Sequence, residues 1–177
     1  MNNTPYDPKV LRQLIKDVLT PLDLYSDDVC ELLMFTAANE SHLGQYRMQI
    51  NGPARGIFQC EGNTFNDIYN NFLRYHPDLE AKINALAPIQ SQEALKQGGS
   101  PHVDDLINDD AYAIAICRAH YRRIGPPIPN ANDIEAIWAY YKKWYNSYLG
   151  AATHDAAIQN YTNYVTSKEI SKEIIKT

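Results

Sequence analysis

Thr36 to Gly62 reads TAANESHLGQYRMQINGPARGIFQCEG. A run with the look of a buried helix ends on an acid, Glu40, and then breaks into a loop that collects Gly52, Pro53, Gly56 and Gln59. Counted along the helix, Val29, Leu33, Thr36 and Glu40 are separated by 4, 3 and 4 residues. At about 100° per residue, Glu40 lies only about 20° from Val29. The acid therefore shares the apolar stripe and should face the core, or a cleft opening from it. Burial disfavours a charged carboxylate and raises its pKa. A carboxylic acid held protonated near neutral pH can give its proton to a leaving oxygen. The competing reading is a frayed, exposed residue in the last turn.

The loop that follows has the parts of a cleft wall. Gly52 and Gly56 allow close backbone approach, Ile57 and Phe58 anchor the segment to the core, and Gln59 offers an amide that both donates and accepts. The same features also suit a plain turn.

The chain has 177 residues, the length of one ordinary domain, and 45% of them are apolar. Its 13 tyrosines fit a groove that is both apolar and hydrogen-bonding, and equally a helical core with wet edges. A net charge of -5 with no basic stripe argues against nucleic-acid binding and gives no electrostatic help toward a membrane. Cys30, Cys60 and Cys117 show no metal or redox spacing, and their odd number points to reduced, buried thiols. The opening MNNTPYDPKV has neither a basic nor an apolar segment of a secretory signal, and no apolar run reaches membrane-spanning length.

Helix signals dominate, so the class is mainly α, with a small β hairpin allowed after Glu40. Helices are expected over 8–20, over 27–42 with Ser26 as cap and Gly44 as stop, from Thr64 through Phe72, over 77–87, over 109–124 and over 134–150 after Asn132 or Asp133. A last one is expected over 155–176. Residues 91–105 read as a surface connection. Ile134, Ile137, Trp138, Tyr141 and Tyr145 recur at helical spacing on an inward stripe. Cys117 and His120 share a helix face, with no third group to orient them as a nucleophilic pair. No repeat divides the chain, so 1–177 reads as a single domain.

Taken together, these residues resemble the lysozyme-like fold of soluble lytic transglycosylases and goose-type lysozymes, over about 27–153. Glu40-Ser41 matches the family's Glu-Ser at a helix end. Gly56-Ile57-Phe58-Gln59, preceded by Gly52-Pro53, is similar to its Gly-Leu-Met-Gln box. Ala139-Tyr140 and Tyr145-Asn146 each match part of its late Ala-Tyr-Asn box. Small phage proteins, virion-associated or of the endolysin type, look most similar. Three departures stand out: a slightly longer gap before Gly56, Phe58 in place of methionine, and the broken third box.

The resemblance implies cleavage of the β-1,4 bond between N-acetylmuramic acid and N-acetylglucosamine in peptidoglycan, with no cofactor and no metal. Glu40 would be the catalytic acid and base. Ser41 would orient it or touch substrate, and Gly56, Phe58 and Gln59 would hold a sugar. A late-helix tyrosine would bond near Glu40. Tyr145-Asn146 is the favoured match and Tyr140 the next, with Tyr141 on the same inward stripe. A lytic transglycosylase needs one carboxylate. A hydrolase needs a second, for which Glu61 and Asp67 are the candidates, both more readily read as solvated. A third reading is a virion structural protein that keeps the fold without activity. The resemblance further implies synthesis in a host cytoplasm, then residence in a virion or release to the wall, with glycan strands and other virion proteins as partners.

Overall fold

Asp7 accepts the Lys9 N–H at 2.9 Å and Pro8 occupies the first turn, which together start helix α1 (Pro8–Leu19). The computed structural model describes residues 4–146 and 151–174. Ser26 caps helix α2 (Asp27–Ser41) by accepting the Val29 N–H, and Asp27 and Asp28 sit in its first turn, where the dipole favours acids. Helix α2 is buried on almost every side, from Val29 and Cys30 through Leu32–Ala38 to Ser41. Helices α1, α6 (Asp110–Arg122), α7 (Ile134–Trp144) and α8 (His154–Tyr161) all pack on it. A helix apolar all round must be enclosed by others, so α2 is the axis of the core. The single stripe read from its sequence is too narrow a description of it.

The helix ends in left-handed backbone at His42 and Leu43, with φ of 52° and 56°, and at Gly44 with φ of 87°. Ser41 is completely buried, and its hydroxyl donates to the Ile57 carbonyl at 2.6 Å while accepting the Gly44 N–H at 2.8 Å. One side chain thus closes the helix and fastens the next loop beneath it. That loop holds two isolated antiparallel bridges, Met48 with Arg55 and Arg55 with Cys60. Among the described residues no strand forms, so the allowed hairpin is reduced to these bridges, and the class is mainly helical.

Helix α3 (Gly62–Asn71) begins two residues before the expected Thr64 cap, because the Arg55–Cys60 pair turns the chain straight into it. Phe65, Ile68 and Tyr69 enter the core from this helix. Helix α4 (Pro77–Asn84) lies inside its expected span. Helix α5 (Ile89–Lys96) replaces part of the expected surface connection: Gln90, Glu93, Ala94, Leu95 and Lys96 are strong helix formers, and the glycines that suggested a loop come only after it. A short 3-10 turn, Val103–Ile107, leads into α6, which Asp109 caps by accepting the Tyr112 N–H.

Asp133, not Asn132, caps α7 through the Ala136 N–H. Helix α7 ends at Trp144, short of Gly150, which lies outside the described residues. It stops where Tyr145 turns to donate to the Phe58 carbonyl at 2.7 Å. The C-terminal stretch is helical as expected but in three pieces: α8, a π segment Thr162–Thr166, and α9 (Ser167–Ile174).

Gly56 is where the loop meets α6's approach. Its φ is 76°, and a Cβ there would stand 2.5 Å from the Leu106 carbonyl oxygen. Positive φ and a backbone clash act together, so Gly56→Ala should destabilise the fold by about 2 kcal/mol or more. Urea unfolding measures this directly; Gly62→Ala, whose nearest new contact is Val103 at 3.8 Å, should change the midpoint far less.

Candidate active site

Glu40 stands on the last turn of α2 at the floor of a surface cleft. The outer lobe, about 490 Å³, is lined by Glu40, Tyr46, Met48, Gln49, Ile50, Ala54, Gln59 and Glu61. An inner lobe of about 150 Å³ shares Glu40, Gln59 and Glu61 and adds Cys60, Thr64, His120, Tyr145 and Asn146. The acid thus lines both lobes, which meet at Glu40, Gln59 and Glu61. It is partly buried and not a frayed end.

Tyr141 donates to Glu40 Oε1 at 2.7 Å. Desolvation pushes the Glu40 carboxyl up to about 7, the Tyr141 hydrogen bond works against that, and the nearby Glu61 charge adds to it. The same burial and the facing carboxylate push the Tyr141 phenol upward, so it remains a donor. Phe35 and Trp138 flank the Tyr141 ring, with centroids at 5.5 Å and 6.1 Å, and hold the phenol in place.

The structure divides the other candidate residues sharply. Tyr141 is the tyrosine on the acid, which corrects the preference for Tyr145 and then Tyr140. Tyr145 stacks beside Tyr141 at 6.1 Å but spends its hydroxyl on Phe58. Tyr140 turns away from the acid and donates to the Pro126 carbonyl at 3.1 Å. Adjacent residues on a helix diverge by about 100°, so Tyr140 and Tyr141 cannot serve one site. Asn146 lines the inner lobe, and its Oδ1 accepts from Lys142 at 3.0 Å.

Ser41 and Phe58 are buried, with 0% and 1% exposure, so neither side chain reaches a ligand, and both act by fixing the loop. Gly56 is likewise buried and serves the loop's path. Gln59 does line both lobes, in left-handed backbone with φ of 48°, its amide donating to the Gly56 carbonyl at 2.7 Å. That leaves its Oε1 without a partner among these bonds and near the groove. Of the two possible second carboxylates, Glu61 lines the cleft and Asp67 does not. Asp67 is committed to an ion pair with Arg123.

Tyr46, Met48 and Ile50 were not singled out in the sequence, and His120 was considered there only as a partner for Cys117. Tyr46 forms an outer wall and meets His42 edge-on at 5.2 Å. Met48 and Ile50 are exposed on the lip, at 53% and 89%. His120 reaches the inner lobe from α6; its Nε2 faces the Trp144 carbonyl at 2.9 Å and its Nδ1 has no partner. Cys117, one turn before it, is buried with its thiol pushed up, so no thiolate–imidazole pair forms. Among the described residues, no three His, Cys, Asp or Glu side chains are grouped to hold a metal ion, and no helix is long and apolar enough to cross a membrane.

Comparison of the chain with family models, curated proteins and solved structures found no match.

The displaced Glu40 titration has a stability consequence. The fold favours the neutral acid, so the stability tied to it is complete below the ordinary value of 4.5 and is lost as pH rises through about 7. That displacement corresponds to roughly 3 kcal/mol against the ionised fold. Glu40→Gln, which cannot ionise, should therefore gain on the parent between pH 5 and 8 and show little advantage at pH 4. Thermal melts of both proteins across that range provide the measurement.

Proposed function

We propose that the protein is a muramidase with a lysozyme-like fold that cleaves peptidoglycan as a lytic transglycosylase, with Glu40 as acid and then base. The observation that carries this reading is the Glu40 carboxyl, bonded by Tyr141, raised by desolvation and lining both lobes of the cleft. In this reading a glycan strand lying along the cleft brings its bridging oxygen to Glu40. The Glu-Ser and Gly-Ile-Phe-Gln motifs that prompted the resemblance are joined beneath the cleft by the Ser41 bond to Ile57.

In the proposed reaction Glu40 gives its proton to the glycosidic oxygen as the C1–O bond breaks, and the leaving N-acetylglucosamine departs with a 4-hydroxyl. The muramoyl C6 hydroxyl then attacks its own C1, and its proton returns to Glu40. The product carries a 1,6-anhydro bridge and the enzyme is restored with no net proton change. One carboxylate suffices, provided that it is protonated at the start, and a pKa near 7 suits both halves of the cycle.

A specific observation favours hydrolysis as the second reading. Glu61 lies exposed in the same cleft, and its charge acts on Glu40. As a base it would direct water to C1 in place of the C6 hydroxyl.

Digestion of purified sacculi, with products weighed by mass spectrometry, tests the proposal. The parent should release fragments with anhydro ends, one water lighter than reducing ends. Glu40→Gln should lose at least about 100-fold in rate. No release by the parent leaves a non-catalytic binding protein, and equal release by both refutes the Glu40 assignment. Glu61→Gln should leave the anhydro product in place; loss of activity with reducing ends in the parent establishes the hydrolytic route.

The pH profile is a separate check. Activity should fall on the alkaline side near pH 7, as Glu40 loses its proton. The Tyr141 bond lowers the Glu40 pKa, so Tyr141→Phe should move that alkaline limb to higher pH while reducing the rate.

A further inference from the structure

Arg118 lies on α6 and is 8% exposed. Its Nε donates to the Leu24 carbonyl at 3.1 Å, and its Nη1 is buried with no hydrogen-bond partner. The other covered arginines each meet a carboxylate: Arg12 meets Glu31 and Glu169, Arg47 meets Asp110, Arg55 meets Asp104, and Arg123 meets Asp67. Among the described residues, Arg118 has no carboxylate within ion-pair distance. A guanidinium does not deprotonate in this setting, so burial without an anion leaves a charge uncompensated.

Arg118 also lines a pocket of about 330 Å³, far from Glu40 along α2. Arg122, one turn further along α6, lines the same pocket, and its charge acts unfavourably on Arg118. Pro126, Pro127 and Ile128 form an apolar wall, which Tyr140 pins through the Pro126 carbonyl. Asp28 is also present, but its Oδ1 is engaged by the Ala131 N–H at 2.7 Å and neither arginine pairs with it. The pocket therefore brings two like charges together, one buried and short of a partner, beside a rigid wall. Separately such charges repel; a shared anion between them reverses the sign of the interaction.

We propose that Arg118 and Arg122 form a binding site for an oxyanion, a carboxylate or a phosphate group, distinct from the Glu40 cleft. The planar guanidinium of Arg118 provides the buried contact, Arg122 closes over it from solvent, and the proline wall covers whatever short apolar portion carries the anion. Glu40 takes no part, so the site is independent of the glycan reading.

Thermal melts of the full chain, in sodium acetate, sodium phosphate or sodium chloride at matched ionic strength and pH, test the site. Acetate or phosphate should raise Tm by about 2–4 °C at saturation, relative to chloride. A rise with acetate alone assigns the site to carboxylates, and a rise with phosphate alone assigns it to phosphates. Arg122→Gln should weaken the response at least about 10-fold in midpoint concentration, and Arg118→Lys, which keeps the charge but loses the fork, should abolish it. Arg118→Met removes the uncompensated charge and should melt no lower than the parent in chloride. Absence of any rise in the parent, or an undiminished rise in Arg122→Gln and Arg118→Lys, overturns the proposal. Should a variant fail to fold, titration calorimetry of acetate and phosphate into the parent decides between binding, which supports the site, and no heat of binding, which overturns it.

Discussion

The hydroxyl of Ser41 is the joint on which the cleft depends. It ends α2, accepts the Gly44 N–H and donates to the Ile57 carbonyl. Fully buried, these bonds are made away from competing water, and leaving either partner unmet would carry a desolvation penalty of about 1–3 kcal/mol. Because the loop is tied to the helix at this point, Glu40 and Gln59 end up facing the same groove. The second anchor is Arg47, whose guanidinium pairs with Asp110 while its carbonyl accepts the Gly56 N–H at 2.8 Å. Tyr6 donates to the same Asp110 at 2.6 Å, so the loop is also bound to α6 and to the N-terminal segment.

From that joint follows the electrostatic character of Glu40. The helix carrying it is enclosed by four others, and its last turn emerges just where the loop begins. The carboxyl is thereby shielded from water on the helix side and open on the groove side. Tyr141 supplies one fixed donor and Glu61 a like charge; desolvation outweighs the donor. The balance raises the carboxyl to about 7, so that it can both give up and take back a proton near neutral pH. Tyr145, bonded to Phe58, locks α7 to the loop from the other direction. The three elements that meet at the groove are therefore held pairwise, α2 to loop by Ser41, α2 to α7 by Tyr141, and α7 to loop by Tyr145.

Two groups of charges in the molecule follow different logic. Arg12, Arg47, Arg55 and Arg123 are matched by acids on other elements and so link them. Among the described residues, Glu40 and Arg118 have no opposite charge within ion-pair distance. Both line open pockets, and a largely covered ionisable group without a counter-charge is the kind of local inconsistency that folding alone does not favour. The C-terminal stretch adds a further irregularity, a π segment whose Tyr164 stacks on His42 at 4.3 Å, directly behind the end of α2.

The sequence by itself was enough for the helical class and for most helix starts, because Ser26, Pro8 and Asp109 act on neighbours within one turn. It also placed Glu40 on the covered side of its helix, since periodicity is a local property. It read α2 as one-sided, missed α5 and carried α7 too far, because enclosure by other helices and the pull of Tyr145 toward Phe58 arise between distant segments. The choice among Tyr140, Tyr141 and Tyr145 was closed to it for the same reason. All three are tyrosines within two turns, and only the packing direction of α7 against α2 decides which hydroxyl meets the acid. The unmatched state of Arg118 is likewise a tertiary fact: sequence shows a basic helix end, whereas pairing depends on which carboxylates the fold brings within about 4 Å.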